Sequence, residues 1–367
     1  MILEQNLIEK VIERASEIQQ IPAPTFDEKE RAAFVLHMFQ QEGLVDTEMD
    51  FFGNVYARLP GDGAARPLLV SAHTDTVFPA GTNLSLRREP ERIYGPGLGD
   101  NSLGVAGLFG LLWALRRARI SLPGDLWLVA NAGEEGLGDL YGMKAVVERF
   151  KELPQAYIIL EGMALGQVYH RALASRRFRI AAVTRGGHSW VDYGTPSAVH
   201  ELAKLASSIA ALPVPEKPRS SLNVGTFQGG TSINTIAAEA ELELDLRSED
   251  GEILQHLVDQ VLALARAAVH PGVNIKVEQV GDRPSGELAQ DHPLVQAAVA
   301  ALRSQGLEAR LNIGSTDANV PLSKGYPAVC VGLTNGGGAH THEEFIEAGK
   351  LEKGLAALVE LVRRVAG

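Results

Sequence analysis

LLVSAHTDTV, residues 68–77, opens as a short apolar run and closes on an imidazole and a carboxylate. Leu68–Ala72 is too short for an ordinary helix and apolar enough to be buried on both faces, which reads as an interior strand. The same construction recurs twice. LWLVANAGEEG (126–136) ends on two adjacent glutamates, and YIILEG (157–162) ends on a third. Between them, Leu103–Arg117 reads as a buried helix. Strands alternating with helices predict an α/β domain with a largely parallel or mixed sheet flanked by helices. In such sheets ligands collect outside the carboxyl ends of strands, so His73, Asp75, Glu134, Glu135 and Glu161 are expected along one edge.

Two further segments belong with them. Asp100 sits in GPGLGDNS (95–102), just before the buried helix. His340 sits in GGGAHTHEEF (336–345), just after an apolar strand over 328–333. Carboxylates at this density raise one another's pKa unless a cation compensates. Histidine, aspartate and glutamate without cysteine suit a catalytic metal site. Two histidines with three or four carboxylates exceed one tetrahedral ion and suit two divalent ions sharing a bridging carboxylate. Zinc is the first expectation, with cobalt or manganese as alternatives. Asp75, two residues after His73, points to the same face of an extended chain and is expected to orient the imidazole. The side chains of Glu134 and Glu135 diverge, so one is free to bind metal while the other serves as general base.

The chain has 367 residues, which favours two domains. Its net charge of −11 argues against a nucleic-acid or anionic-membrane partner. A lone cysteine, Cys330, excludes an intrachain disulfide framework, and the apolar run Leu103–Leu115 is short for a membrane span. With no signal-like start, a cytoplasmic protein is expected. Apolar spacing predicts a helix over 3–19, and Thr25–Glu28 matches a capping box for a helix from about 27 to Gly43. Asp62-Gly63 predicts a hairpin between 55–59 and 67–72. Beyond residue 175 the order becomes β-α-β-β-α-β, with Thr195-Pro196 and Asp291 read as helix starts. That order predicts a ferredoxin-like α+β lid over 175–285, inserted between catalytic pieces 1–174 and 286–367.

Taken in register, SAHTDTV (71–77), GPGLGDNSLGVAGLF (95–109), NAGEEGLG (131–138), ILEG (159–162) and GGAHTHEEF (337–345) resemble the co-catalytic zinc exopeptidases and deacylases. That family includes glutamate carboxypeptidase, aminoacylase, acetylornithine deacetylase, succinyl-diaminopimelate desuccinylase and peptidase T. The resemblance implies that His73 and Glu161 hold one metal, Glu135 and His340 the other, and Asp100 bridges them. It implies Glu134 as general base, Asp75 as support for His73, and a cis peptide after Asp100. His340 rather than His342 matches, because Glu344 and Phe345 then fall on the family's acidic–aromatic pair. RGGHSW (185–190), GGTSIN (229–234) and DLR (245–247) match lid segments, implying a homodimer whose His188 reaches the partner's site and stabilises the oxyanion. They also imply substrate contacts from Asn234 and Arg247. The Gly336, Gly337 and Gly338 loop is expected to help Arg247 hold a substrate carboxylate.

Two departures bear on activity. Asn101 replaces a second aspartate found in many members. Glu161, aspartate in many aminopeptidases, tilts the expectation toward a carboxypeptidase or deacylase acting on small peptides or N-acyl amino acids. The nearest alternative is a di- or tripeptide aminopeptidase of the peptidase T type. Remoter ones are a serine hydrolase using Ser189 and a non-enzymatic scaffold. Glu343-Glu344 reads as a charged pair at a helix start, and Asp317 as a turn cap or a pocket residue.

Overall fold

The computed structural model describes residues 3–367. The chain divides into two compact units, Met1–Ala172 with Gly286–Gly367, and Leu173–Ser285.

The first unit is built on a mixed sheet in the order Val45–Met49, Val55–Leu59, Leu126–Asn131, Leu68–His73, Ala156–Glu161, Ala328–Gly332, Gln167–Ala172 and Gly286–Glu287; Arg310–Gly314 also pairs with Gln167–Ala172. Leu68–His73 runs parallel to both its neighbours, and Ala156–Glu161 runs parallel to Ala328–Gly332. The central strands are buried on both faces, which is why they read as apolar runs rather than alternations. Helix Leu103–Arg117 lies against them, buried from Leu103 to Leu115. Its glycines permit close approach: a Cβ on Gly110 would meet Val11 and Leu355 at about 3 Å, and one on Gly107 would meet Leu333 at 2.3 Å. The first helix, Gln5–Gln19, and the last, Leu351–Ala366, therefore seat directly on it. Its apolar surface is spent on this core.

The expected hairpin at Asp62-Gly63 does not form. Strand Leu126–Asn131 inserts between the two segments, antiparallel to Val55–Leu59 and parallel to Leu68–His73. Residues 60–67 instead hydrogen-bond along Leu122 and Pro123. Prolines at 60 and 67 bracket that loop, and Leu68–His73, buried along its whole length, needs a strand partner on each side more than a tight turn. The second helix begins at Lys29, and Glu28 makes no side-chain cap. The helix expected after Asp291 is capped by His292, whose ring accepts the Leu294 N–H at 3.2 Å ahead of Pro293.

The second unit carries a four-stranded antiparallel sheet in the order Ser220–Gly229, Glu239–Ser248, Ala174–Val183, Asn274–Arg283. Glu239–Ser248 alternates cleanly between its faces. Helices Ala198–Ala210 and Gly251–Ala267 cover one face through Leu202, Leu205, Ile209, Leu254 and Val261. The first of these starts at Ala198 after Ser197, two residues beyond the expected Thr195-Pro196. Asp250 caps the second, accepting the Glu252 and Ile253 N–H groups at 2.8 and 3.1 Å.

Candidate metal centre

Parallel register puts His73 opposite Asn131 and Gly332 opposite Glu161, so the strand ends share one edge. Each strand hands its chemistry to that edge at its last residue or just past it. The imidazole of His73 is buried. Its Nδ1 lies 3.1 Å from the Asp75 carbonyl, so it is the donor nitrogen, and Nε2 faces the site. That Nε2 is 3.2 Å from Asp100 Oδ1 and 3.7 Å from Glu161 Oε2. The other oxygen of Asp100 lies 3.2 Å from His340 Nε2, which is also 3.2 Å from Glu135 Oε1. Asp100 thus presents one oxygen to each histidine. Glu134, buried beside Glu135, brings its carboxylate within 4.8 Å of His73 and Glu135 donors.

The carboxylates and imidazoles shift one another's pKa values. Hydrogen bonds to Asp100 and Glu135 push the His340 imidazole up to about 10. Burial works against charge on His73, yet hydrogen bonds to Asp100, Asp75 and Glu161 raise it well above the imidazole range. Burial drives Glu161 up to about 7, with His73 opposing and Asp100 adding to the rise. The surrounding carboxylates thus draw both imidazoles toward their charged form. Two divalent cations are the natural occupants of an oxygen- and imidazole-donor set with a shared carboxylate.

The backbone around the donors is clamped by side chains. Asp75, fully buried, accepts the Glu134 and Glu135 N–H groups, one on each oxygen, at 2.9 Å. Glu344 accepts the N–H groups of Gly97, Gly99 and Asp100 at 3.1, 2.7 and 2.9 Å. Glu344 was expected at a helix start, but Phe345–Glu347 is a strand and the carboxylate is wholly buried. Burial pushes it up to about 7. The acidic–aromatic match after His340 was the available signal for it. The peptide Asp100–Asn101 is cis. Asn101 donates to the Leu160 carbonyl and accepts the Gly162 N–H, both at 2.8 Å. An ionised aspartate has no donor for that first bond, so an amide side chain suits this position. Asp317, buried, accepts from Asn131 Nδ2 at 2.7 Å.

His340 has φ +65° and its side chain is half exposed. His342 stands outside the cluster, its ring 5.9 Å from Phe78. Gly336 and Gly338 have packing reasons to be glycine: a Cβ on Gly336 would meet Met163 at 2.4 Å, and one on Gly338 would meet the Glu343 carbonyl at 2.7 Å. A Cβ on Gly337 would meet the Phe345 ring at 2.9 Å.

In the second unit, His188 lies in a two-residue strand paired with Thr235–Ile236. Its Nδ1 accepts the Trp190 and Val191 N–H groups at 3.2 and 3.3 Å, which leaves Nε2 outward. The Asn234 carbonyl takes the Ser189 N–H at 3.0 Å, so His188 and Asn234 are neighbours. Arg247 is elsewhere, near the far end of strand Glu239–Ser248, its Nε 2.7 Å from Asp245.

With this geometry in view, the comparisons with known proteins fall into place. Residues 69–364 match the sequence profile of Peptidase family M20/M25/M40. The chain belongs to that family and is a metal-dependent hydrolase of amide bonds. An acetylornithine deacetylase from Erwinia tasmaniensis is 29% identical, covering 78% of this chain and 77% of its own. Two solved structures share the fold. A tripeptidase from Staphylococcus aureus superposes with TM-score 0.81 at 22% identity, covering 100% of this chain and 99% of its own. The aminopeptidase PepT from Bacillus cereus gives 0.78 at 23% identity, covering 98% and 99%.

Proposed function

We propose that this chain hydrolyses small peptides or N-acyl amino acids, and that removal of the N-terminal residue from di- and tripeptides is its favoured form. The observation that carries the reading is Asp100, one oxygen 3.2 Å from each of two histidines, with Glu134 alongside. His73 and Glu161 would hold one ion, Glu135 and His340 the other, and Asp100 both. When bound, divalent ions polarise a carbonyl and acidify water. Glu134 takes the proton from the attacking water and returns it to the leaving amine. Asp75 keeps the His73 tautomer fixed.

The aminopeptidase form, rather than the carboxylate-anchored form that Glu161 suggested, is supported by full-length likeness to a tripeptidase and an aminopeptidase. We read Leu173–Ser285 as a ferredoxin-like lid that also dimerises the chain in the cytoplasm. One spacing bears on Arg247. Arg247 and the His188–Asn234 pair are separated by eight strand residues from Glu239 onward, about 26 Å. An extended tripeptide spans only about 10 Å. Arg247 is therefore too far from the His188 tip to share a small substrate with it, which agrees with an aminopeptidase form that does not use Arg247 as an anchor. His188 then steadies the oxyanion, with Asn234 beside it.

The test is elemental analysis of the purified chain, with a panel of amine-blocked and carboxylate-blocked tripeptides and N-acyl amino acids. The reading expects two metals per chain, turnover abolished by chelation, and loss of cleavage when the amine is blocked. Loss only when the carboxylate is blocked would restore the carboxypeptidase or deacylase form. Turnover that survives chelation but not Ser189→Ala would move the chemistry to the serine.

A further inference from the structure

The capping-box signature Thr25–Glu28 does not cap its helix. Thr25 Oγ1 donates to Asp75 Oδ2 at 2.9 Å instead. The Glu28 carboxylate, buried, accepts the Phe26 N–H at 3.0 Å rather than the Thr25 N–H that a capping box would give it, which goes to the Thr76 carbonyl at 3.3 Å. Its other bonds leave the helix. Oε1 accepts the Gly133 N–H at 3.2 Å, and Tyr141 Oη lies 3.2 and 3.3 Å from the two oxygens. Gly133 is the residue before Glu134. It has φ +65°, and the Tyr141 ring fills the place where a Cβ would sit, 1.9 Å away.

Three consecutive N–H groups, those of Gly133, Glu134 and Glu135, are thus held by two buried carboxylates. Glu28 takes the first and Asp75 the next two. Arg31, one turn along from Glu28, is also buried. It is anchored on the Ile21 and Thr74 carbonyls at 2.6–2.9 Å and supplies positive charge to Glu28 and Asp75. Burial, and then Asp75, still raises the Glu28 carboxyl above its ordinary value. Burying a second carboxylate here is costly, and its bonds to Phe26, Gly133 and Tyr141 with the nearby Arg31 charge offset that cost.

We propose that Glu28 and Thr25 are positioning residues, which fix the turn at Gly133 and so aim Glu134 and Glu135 at the metal edge. The proposal rests on the reading of Glu134 as base. It assigns the N-terminal segment to the chemistry through hydrogen bonds to the catalytic loop and to Asp75, which clamps that loop.

The test compares Glu28→Ala, Glu28→Gln and Tyr141→Phe in the zinc-loaded full chain. It reads kcat, KM and zinc content, normalised to folded protein. Glu28→Ala should lower kcat about 10- to 100-fold, the range for removing partners that orient metal-site residues, with KM little changed. Glu28→Gln keeps an acceptor for Gly133 and should restore most of the loss. Tyr141→Phe should give a smaller fall in the same direction, and serves if Glu28→Ala does not fold. In a Glu134→Ala background, Glu28→Ala should cost clearly less turnover than in the wild type, because the part of its effect that runs through Glu134 is already lost, and the part that runs through Glu135 should read out as lower zinc content. Wild-type kcat in Glu28→Ala, or an undiminished effect in that background, overturns the proposal while leaving the base reading intact. Full turnover by Glu134→Ala alone overturns the base reading instead.

Discussion

The metal edge and the tip around His188 are two ways of holding a functional group. At the metal edge the groups are over-determined. His73, Asp75, Glu134 and Glu135 are buried, and the loops that carry Asp100 and Glu134 have successive N–H groups tied to carboxylates. At the tip, His188 is exposed on a strand of two residues, flanked by Trp190 and Tyr193 at 86% and 90% exposure. Among the described residues, its ring is held by two N–H groups from its own turn. The contrast teaches a division of labour. Groups that must bear charge together are built into the sheet edge, whereas the group proposed to meet the oxyanion stands on an exposed turn.

Three substitutions would break that contrast if it is wrong. The largest effect is expected at Glu134→Ala. Turnover should fall by about 10²–10⁴, the range for losing a general base, with both metals retained by elemental analysis. Loss of a metal would instead make Glu134 a ligand. Next is His188→Ala, expected to lower kcat by about 10²–10³ with melting temperature and metal content unchanged. A destabilised chain would show that the tip is structural. Third is Glu344→Ala, which leaves the N–H groups of Gly97, Gly99 and Asp100 without their acceptor. Metal affinity should fall about 10- to 100-fold by titration against a chelator, and stability should drop by about 1–3 kcal/mol. Unchanged metal affinity would show that the Asp100 loop holds itself.

Much of the metal edge was legible because strand ends announce themselves. An apolar run that stops on histidine or glutamate reads as a buried strand delivering a polar group, and in α/β sheets ligands collect at the carboxyl ends of strands whatever their order. The order itself was not legible. The hairpin expected at Asp62-Gly63 failed because local turn chemistry says nothing about a third strand inserting from sixty residues away. Glu344 and Glu28 were misread for a related reason. Each sits where a local motif explains it, a charged pair or a capping box, and each is claimed by a distant backbone instead. Asn101 was recognised as a departure, but its task, joining the Leu160 carbonyl and the Gly162 N–H, needs the tertiary structure to be seen.

The smallest effect sharpens the comparison from the second unit's side. Asp245 lies between Arg177 and Arg247, at 3.0 and 2.7 Å. Burial alone would raise its carboxyl, but the Arg247 and Arg177 hydrogen bonds overcome that and hold it below the ordinary value. A depressed folded-state pKa contributes stability above the unfolded value, ~3.9, and loses it as pH falls through the folded one. The pairs are partly solvated, so the contribution is about 0.5–1 kcal/mol. Asp245→Asn should therefore lower the melting temperature slightly at pH 7, and the gap to wild type should close below about pH 4. Cleavage of tripeptides at neutral pH should change little, since Arg247 is not needed as a carboxylate anchor in the aminopeptidase form. A gap that persists in acid would mean that Asp245 contributes through packing rather than charge. A large rise in KM confined to substrates with a free carboxylate would instead return Arg247, released or misaimed by the loss of Asp245, to the substrate.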